Sequence, residues 1–199
     1  LMGGERADMV FTDPPYGDNH AGMIVDVNEK RVGKSIVTGI KTIESDKNLD
    51  FLLPCVNTMN DFIKQNSTKM MFFKWKKWDE ILEATSIWGY PSSVCVWDRK
   101  EIAAATFRFN PVHEFCFHWG NLQDKRDVSH LTNVWSFSRE TDSKEMHPTV
   151  KPLAIISPAI SVCTSVNELI YEPFAGSGTT IIAAHNLNRR CYAMEISEK

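Results

Sequence analysis

The sequence predicts an α/β fold built on a mostly parallel sheet with one antiparallel strand. Three observations carry this. Apolar strand-like runs alternate with segments of helical spacing, the order that right-handed crossovers build into a parallel sheet. One run, Met9-Val10-Phe11-Thr12, stops abruptly at Asp13-Pro14-Pro15. Another, Leu169-Ile170-Tyr171-Glu172, leads into a glycine turn and then a helix. Strand ends of this kind are where open α/β sheets bind ligands.

The elements follow in chain order. Leu1 to Ala7 reads as the end of a helix closed by Gly3-Gly4, with the strand Asp8–Thr12 after it. Gly17 to about Asp46 is polar, with scattered glycines and lysines and no core face. A loop this long is functional or mobile, and 17–47 is expected to be a mobile lid or a plain surface excursion. Leu49 to Gln65 has apolar residues at helical spacing, from Leu49, Leu52 and Leu53 to Phe62 and Ile63. Lys69 to Phe73 predicts a buried strand, Trp78 to Trp88 a helix, and Pro91 to Trp97 another strand. Between them, Lys74-Trp75-Lys76-Lys77-Trp78 interleaves lysine with tryptophan. Such a stretch can meet phosphates and stacked bases, but a solvated loop with two anchoring indoles is the favoured reading. His113 to Trp119 predicts an antiparallel strand and Asn133 to Phe137 a short final one. His113, His118 and His130 lack metal-ligand spacing and read as structural. Glu145 to Pro152 is a rigid linker, with Pro152 suited to the first position of a helix Leu153 to Ser165.

With 199 residues, 43% hydrophobic and 24% charged, the chain can bury one sizeable core. It reads as a single domain over 1–199, with 98–146 a small added region. The net charge of −3 does not advertise nucleic acid, although a local groove can carry such contacts. Five cysteines form no C-x-x-C pair and read as reduced core residues of a cytoplasmic protein. No apolar run reaches membrane-spanning length, so no membrane partner is expected. The first strand lies so near residue 1 that the chain reads as an excerpt of a longer protein.

Two stretches carry chemistry. Pro14 and Pro15 cannot continue a ladder, so Asp13 sits at a strand's carboxyl end with two stiffened residues behind it. Asp13, the Pro14 carbonyl and the Tyr16 ring together suit an amino group on a flat ring. A proline turn without chemistry competes on equal terms until the second stretch is considered. There, Glu172-Pro173-Phe174-Ala175-Gly176-Ser177-Gly178-Thr179 opens a helix, and Cys191 to Ile196 follows as a strand bearing Glu195. The glycines allow close backbone approach, the helix start offers free N–H groups, and Glu195 can accept two ribose hydroxyls. A phosphate-cradling loop needs Gly-Lys-Ser/Thr, and Thr179 follows Gly178, which rejects it. A dinucleotide fingerprint has a third glycine where Ile181 stands, which weakens that reading without excluding it. A nucleoside with an amino-acid tail, S-adenosylmethionine, remains.

The chain resembles the DNA amino-methyltransferases of the permuted group, in which the catalytic motif precedes the cofactor motif. Asp13-Pro14-Pro15-Tyr16 matches the catalytic Asp-Pro-Pro-Tyr, and Phe174-Ala175-Gly176-Ser177-Gly178-Thr179 the cofactor loop. His147-Pro148-Thr149-Val150-Lys151-Pro152 matches the element leading into that half. Glu172 departs from the more usual aspartate and keeps the carboxylate. The resemblance implies a Rossmann-like, S-adenosylmethionine-dependent methyltransferase fold in a prokaryotic or phage setting of DNA modification and restriction. It assigns catalysis to Asp13, Pro14, Pro15 and Tyr16. It assigns cofactor contact to Thr12, Thr149, Lys151, Glu172, Pro173, Phe174, Ala175, Gly176, Ser177, Gly178, Thr179 and Glu195. No metal is implied.

The implied partners are DNA and S-adenosylmethionine, with 98–146 as a small target-recognition region or recognition supplied by a second copy or an additional segment. The implied reaction is methylation of the N6 amine of a flipped adenine. Cytosine N4 is the alternative, disfavoured because those relatives more often carry serine at the position of Asp13. A non-catalytic fragment that holds cofactor or DNA is the alternative of another class. Cys55 lies in a predicted helix with nothing to activate it, which argues against a cysteine nucleophile.

Overall fold

The computed structural model describes residues 2–15, 51–100, 109–120, 131–138 and 151–196. Tyr16, Thr149, the 17–47 loop, His130 and most of the linker before Lys151 lie outside the described residues.

Among the described residues seven strands form one sheet. They are β1 (Ala7–Thr12), β2 (Ile63–Phe73), β3 (Ser93–Asp98), β4 (His113–Trp119), β5 (Val134–Ser136), β6 (Leu169–Glu172) and β7 (Arg190–Ala193). Their order is β5-β3-β4-β2-β1-β6-β7. β1 is parallel to both β2 and β6, and β6 to β7. β4 alone runs against its neighbours, β2 and β3, while β5 is parallel to β3. The expected antiparallel strand is therefore present, with the bounds its apolar run predicts.

The helices are α1 (Leu52–Asp61), α2 (Trp78–Ala84), α3 (Leu153–Cys163) and α4 (Thr179–Asn186). Side chains of successive strand residues point to opposite faces. Accordingly Met9, Phe11, Met70 and Phe72 pack with α3 and α4, through Ile155, Ile156, Ala159, Ile160, Ala183 and Ala184. The alternate residues Met71 and Phe73 pack with α1 and α2, through Leu52, Val56, Ile81 and Ala84. Both faces of the central strands are thus buried, which is why they read as continuous apolar runs. The Phe11 and Phe72 rings meet edge to face at 5.7 Å.

Several boundaries differ from expectation. Residues 2–6 form a turn, not a helix end, with Gly3 and Gly4 at φ +57° and +85° and the Glu5 N–H donating to the Met2 carbonyl at 2.9 Å. The helix predicted to Gln65 stops at Asp61, and β2 begins at Ile63. Ile63 fits the helical spacing by number but pairs with Ala7, and the ladder shifts register before Met9. The helix predicted to Trp88 ends at Ala84, where the Thr85 hydroxyl donates back to the Ile81 carbonyl at 2.6 Å, and a 3-10 turn Ser86–Trp88 follows. Pro152 sits one place earlier than expected, as the N-cap of α3.

The chain leaves β1 toward β2 on one side, whereas β6 leads through α4 to β7 on the other. The β1–β6 boundary is therefore a topological switch point, and its carboxyl end is a crevice. Asp13 follows β1 there and the glycine turn follows β6. Among the described residues no helix is long and apolar enough to cross a membrane.

Candidate functional site at the β1–β6 switch point

Two motifs 160 residues apart meet through one hydrogen bond. The buried Thr12 hydroxyl, at the end of β1, donates to Glu172 Oε1 at 2.7 Å. The Phe174 N–H donates to the same oxygen at 3.1 Å, and the Thr180 hydroxyl to Oε2 at 3.1 Å. Glu172 thereby ties the end of β1, the glycine turn and the first turn of α4 together. Its side chain lies beneath the turn, so Thr12 and Glu172, both expected as cofactor contacts, sit behind the loop and shape it.

Burial pushes the Glu172 carboxyl up from an ordinary 4.5 to about 8, against three hydrogen bonds that favour the anion, and the nearby Asp13 carboxylate adds to the rise. A carboxyl whose folded pKa is raised stabilises the fold in its neutral form. That contribution is full below pH 4.5 and falls away as the pH rises toward 8. Glu172→Gln is neutral throughout. Between pH 5 and 8.5 its thermal midpoint is expected to fall less than that of the parent, by roughly 3–4 kcal/mol in stability or roughly 6–16 °C. Calorimetric melts across that range check it.

The glycine turn is built for close approach. Gly176 and Gly178 take φ of +52° and +80°, a region that side chains rarely occupy, and Gly178 is the left-handed N-cap of α4. A Cβ added at Gly176 would come within 4.0 Å of the Phe174 carbonyl only, so backbone conformation and not crowding requires glycine there. The turn is tethered to the end of β7: the Ala175 N–H donates to the Met194 carbonyl at 2.8 Å and the Met194 N–H to the Glu172 carbonyl at 2.9 Å. This brings exposed Glu195 over the turn, where Oε2 accepts the Gly176 N–H at 2.7 Å. A nucleoside fits this donor set: a carboxylate for hydroxyls, an exposed loop at Gly176 and Ser177, and a helix N-terminus behind. Pro173, Phe174 and Ala175 are partly buried, and the Ser177 and Thr179 hydroxyls lie 2.9 Å apart at the start of α4.

Asp13, Pro14 and Pro15 stand at the carboxyl end of β1, Asp13 half-buried with its side chain 27% exposed. Its Oδ2 is bridged by the Lys151 ammonium. The ammonium of Lys151, a cofactor contact by the sequence reading, meets Asp13 and, at 3.1 Å, Glu114 Oε2, and lies 5.0 Å above the Phe72 ring. Glu114 and its further partner Arg99, at 3.3 Å, were not anticipated as site residues. The signal was present: an acid inside the apolar strand His113-Glu114-Phe115-Cys116-Phe117 has to be paired when buried.

Among the described residues the cysteines and histidines add no chemistry of this kind. All five cysteines are free thiols, and burial raises Cys55, which lies in α1 as expected. Burial also raises Cys191, to about 12. These thiols are poor nucleophiles. Among the described residues no group of three or more His, Cys, Asp or Glu could hold a metal ion.

Comparison with known proteins agrees with this fold. A family model described as DNA methylase, N6_N4_Mtase, matches residues 119–199. YubD of Escherichia coli (strain K12) is 26% identical, over 98% of this chain and 79% of its own. The type II methyltransferase M2.MboI of Moraxella bovis is 26% identical, over 94% of this chain and 75% of its own. Among solved structures, the M1.HpyAVI–SAM complex superposes with a TM-score of 0.67 at 20% identity, over 97% of this chain and 84% of that one. The cytosine-N4-specific PvuII DNA methyltransferase gives 0.66 at 14%, over 99% and 78%. The chain has the Rossmann-like fold of S-adenosylmethionine-dependent DNA methyltransferases, and the family match and type II relatives support a DNA amino-methyltransferase.

Proposed function

We propose that this chain transfers a methyl group from S-adenosylmethionine to the exocyclic N6 amine of a flipped adenine in DNA, and that it belongs to the permuted group. The observation that carries the reading is the Thr12–Glu172 hydrogen bond, which sets the Asp13 strand end beside the glycine turn. Order along the chain, Asp13 before Gly176, supports the permuted assignment.

S-adenosylmethionine supplies an electrophilic methyl group on a sulfonium. The chain's own residues do the rest. Glu195 accepts ribose hydroxyls, and the turn Phe174 to Thr179 receives the remainder of the cofactor at the helix start. Asp13 and the Pro14 carbonyl accept hydrogen bonds from the amine, which turns its lone pair toward the methyl group. Tyr16, which follows Pro15, stacks on the extruded base and offsets roughly 1–3 kcal/mol of the cost of flipping. No covalent enzyme intermediate is required, and the acceleration comes from positioning and electrostatics.

A DNA-facing rim supports the choice of substrate. β2 is parallel to β1, so the segment after Phe73 opens on the same side as Asp13. Of its two indoles one anchors and one does not. Trp78 packs on Phe73, Phe115 and Phe117, with centroids at 5.6, 5.6 and 4.8 Å. Trp75 is 54% exposed, with the Lys76 ammonium 5.9 Å from its ring. An exposed indole beside a lysine suits a base and its phosphate. The segment 98–146, an additional segment or a second copy is assigned the recognition of sequence.

The test is mass spectrometry of nucleosides from unmethylated DNA treated with the protein and S-adenosylmethionine. N6-methyladenine is the expected product. N4-methylcytosine without N6-methyladenine would replace the base assignment, a reading that the PvuII-like fold keeps in view. No methylated nucleoside at all, with cofactor bound, would favour a non-catalytic binding module.

A further inference from the structure

We infer that Lys151 and Glu114 are positioning residues for the transfer: they hold the Asp13 carboxyl in the orientation that receives the amine. This rests on the function proposed above. The side chains of Asp13, Lys151, Glu114 and Arg99 form a row of alternating sign, coming from the residue after β1, the second residue before α3, β4 and the residue after β3. Lys151 Nζ bridges Asp13 Oδ2 and Glu114 Oε2, and Arg99 Nη1 reaches Glu114 Oε1 at 3.3 Å. Arg99 Nη2 in turn donates to the Pro111 carbonyl at 2.8 Å. Three of the four side chains are nearly buried, at 7% for Lys151, 10% for Glu114 and 11% for Arg99. Asp13, at 27%, is the member that opens to the crevice.

Such a row is a poor device for stability alone. Desolvating an ammonium and two carboxylates offsets much of their attraction, and well-packed apolar residues of the same volume do as well or better. What the row does supply is direction. An aspartate after a strand end and before two prolines has a short side chain and no helix to hold it. Its rotamer is set by whatever grips the carboxyl. Lys151 is itself immobile: Glu114 holds it from the side, and the faces of Phe72 and Trp97 lie 5.0 and 6.0 Å away. Its backbone precedes Pro152, which restricts it to extended conformations, and Pro152 caps α3 with its carbonyl accepting the Ile155 and Ile156 N–H groups. Ile155, Ile156 and Ile160 then seat α3 in the core. The rigid body of the fold thereby reaches the Asp13 carboxyl through the Lys151 ammonium. Misplacement of a reacting group by an ångström costs on the order of 10²-fold in rate.

The experiment compares the parent with Lys151→Met, Lys151→Arg and Glu114→Gln, measuring S-adenosylmethionine affinity by calorimetry and kcat on unmethylated DNA. Lys151→Met keeps the apolar stem and removes the grip. It is expected to lower kcat about 10²-fold with cofactor Kd within about threefold of the parent. Lys151→Arg, which keeps a cation able to bridge two carboxylates, is expected to recover at least about tenfold of that loss. Glu114→Gln loosens Lys151 and is expected to lower kcat about tenfold, again at unchanged Kd.

If Lys151→Met weakens cofactor binding about tenfold or more and leaves kcat at saturation unchanged, Lys151 is a cofactor contact and the inference falls. A kcat and Kd both near the parent's also overturn it. Should Lys151→Met fail to fold, Glu114→Gln decides, and a parental kcat there is fatal to the inference. A parent that methylates DNA while the variants do so equally well removes the inference alone. A parent that methylates nothing removes the proposed function and the inference with it.

Discussion

Asp13→Ala is expected to lower methyl transfer by about 10²–10³-fold, the range for deleting one preorganised electrostatic partner of a reacting group. Cofactor affinity is expected to stay within about tenfold, because the glycine turn and Glu195 hang from β6 and β7, not from the Asp13 side chain. The contrast between the two measurements is the content of the prediction. Single-turnover methylation gives the first and calorimetric titration with S-adenosylmethionine the second. Loss of both together would mean that Asp13 is structural. The variant also leaves the Lys151 ammonium with Glu114 as its acidic neighbour at 3.1 Å. A stability loss of roughly 1–3 kcal/mol is expected, short of the 3–5 kcal/mol of a buried ion left with no counter-charge. A melt of the variant therefore belongs beside the rate. Asp13→Asn keeps an acceptor oxygen for the amine, and its smaller loss would separate hydrogen bonding from charge.

Glu195→Ala is the complementary case. It is expected to weaken S-adenosylmethionine binding by about 10–100-fold, the equivalent of one lost charge-assisted hydrogen-bond pair at roughly 1.5–3 kcal/mol. The rate at saturating cofactor is expected to change little, since Glu195 lies beyond β7 and Asp13 beyond β1, with β6 between them. Part of the loss comes from the turn itself, because Glu195 accepts the Gly176 N–H at 2.7 Å. Glu195→Gln keeps an acceptor for that N–H. If it binds like the parent while Glu195→Ala does not, loop support explains the loss and not the ribose. Titration of both variants distinguishes the outcomes.

Much of this was legible along the chain. β4 begins and ends where the apolar run His113 to Trp119 does, and β6 where Leu169 to Glu172 does. Both are short, apolar and bounded by turn residues, so local pattern and fold agree. The glycine turn was legible for the same reason: left-handed backbone at Gly178 and a helix after it are local events. Boundaries failed where a tertiary partner outweighed spacing. Ile63 continues the helical stripe of α1 by number, but Ala7 across the sheet claims it as a strand residue.

The division for the site is sharper. The residue types determined its chemistry: an acid at a proline-stopped strand end, a glycine turn, and an acid one strand later. Those are local facts, carried by φ restriction, turn geometry and apolar periodicity. The tertiary structure decided who faces whom. Lys151, 138 residues from Asp13, reads as part of the cofactor half by its neighbours in sequence, yet the packing of α3 against β1 and β2 delivers its ammonium to the Asp13 carboxyl. Glu172 stands in the motif of a cofactor ligand, yet parallel pairing of β1 with β6 turns it inward to Thr12. Charge has no period along a chain. A buried ion needs a counter-charge within a few ångströms, and only the sheet order determines which distant residue supplies it.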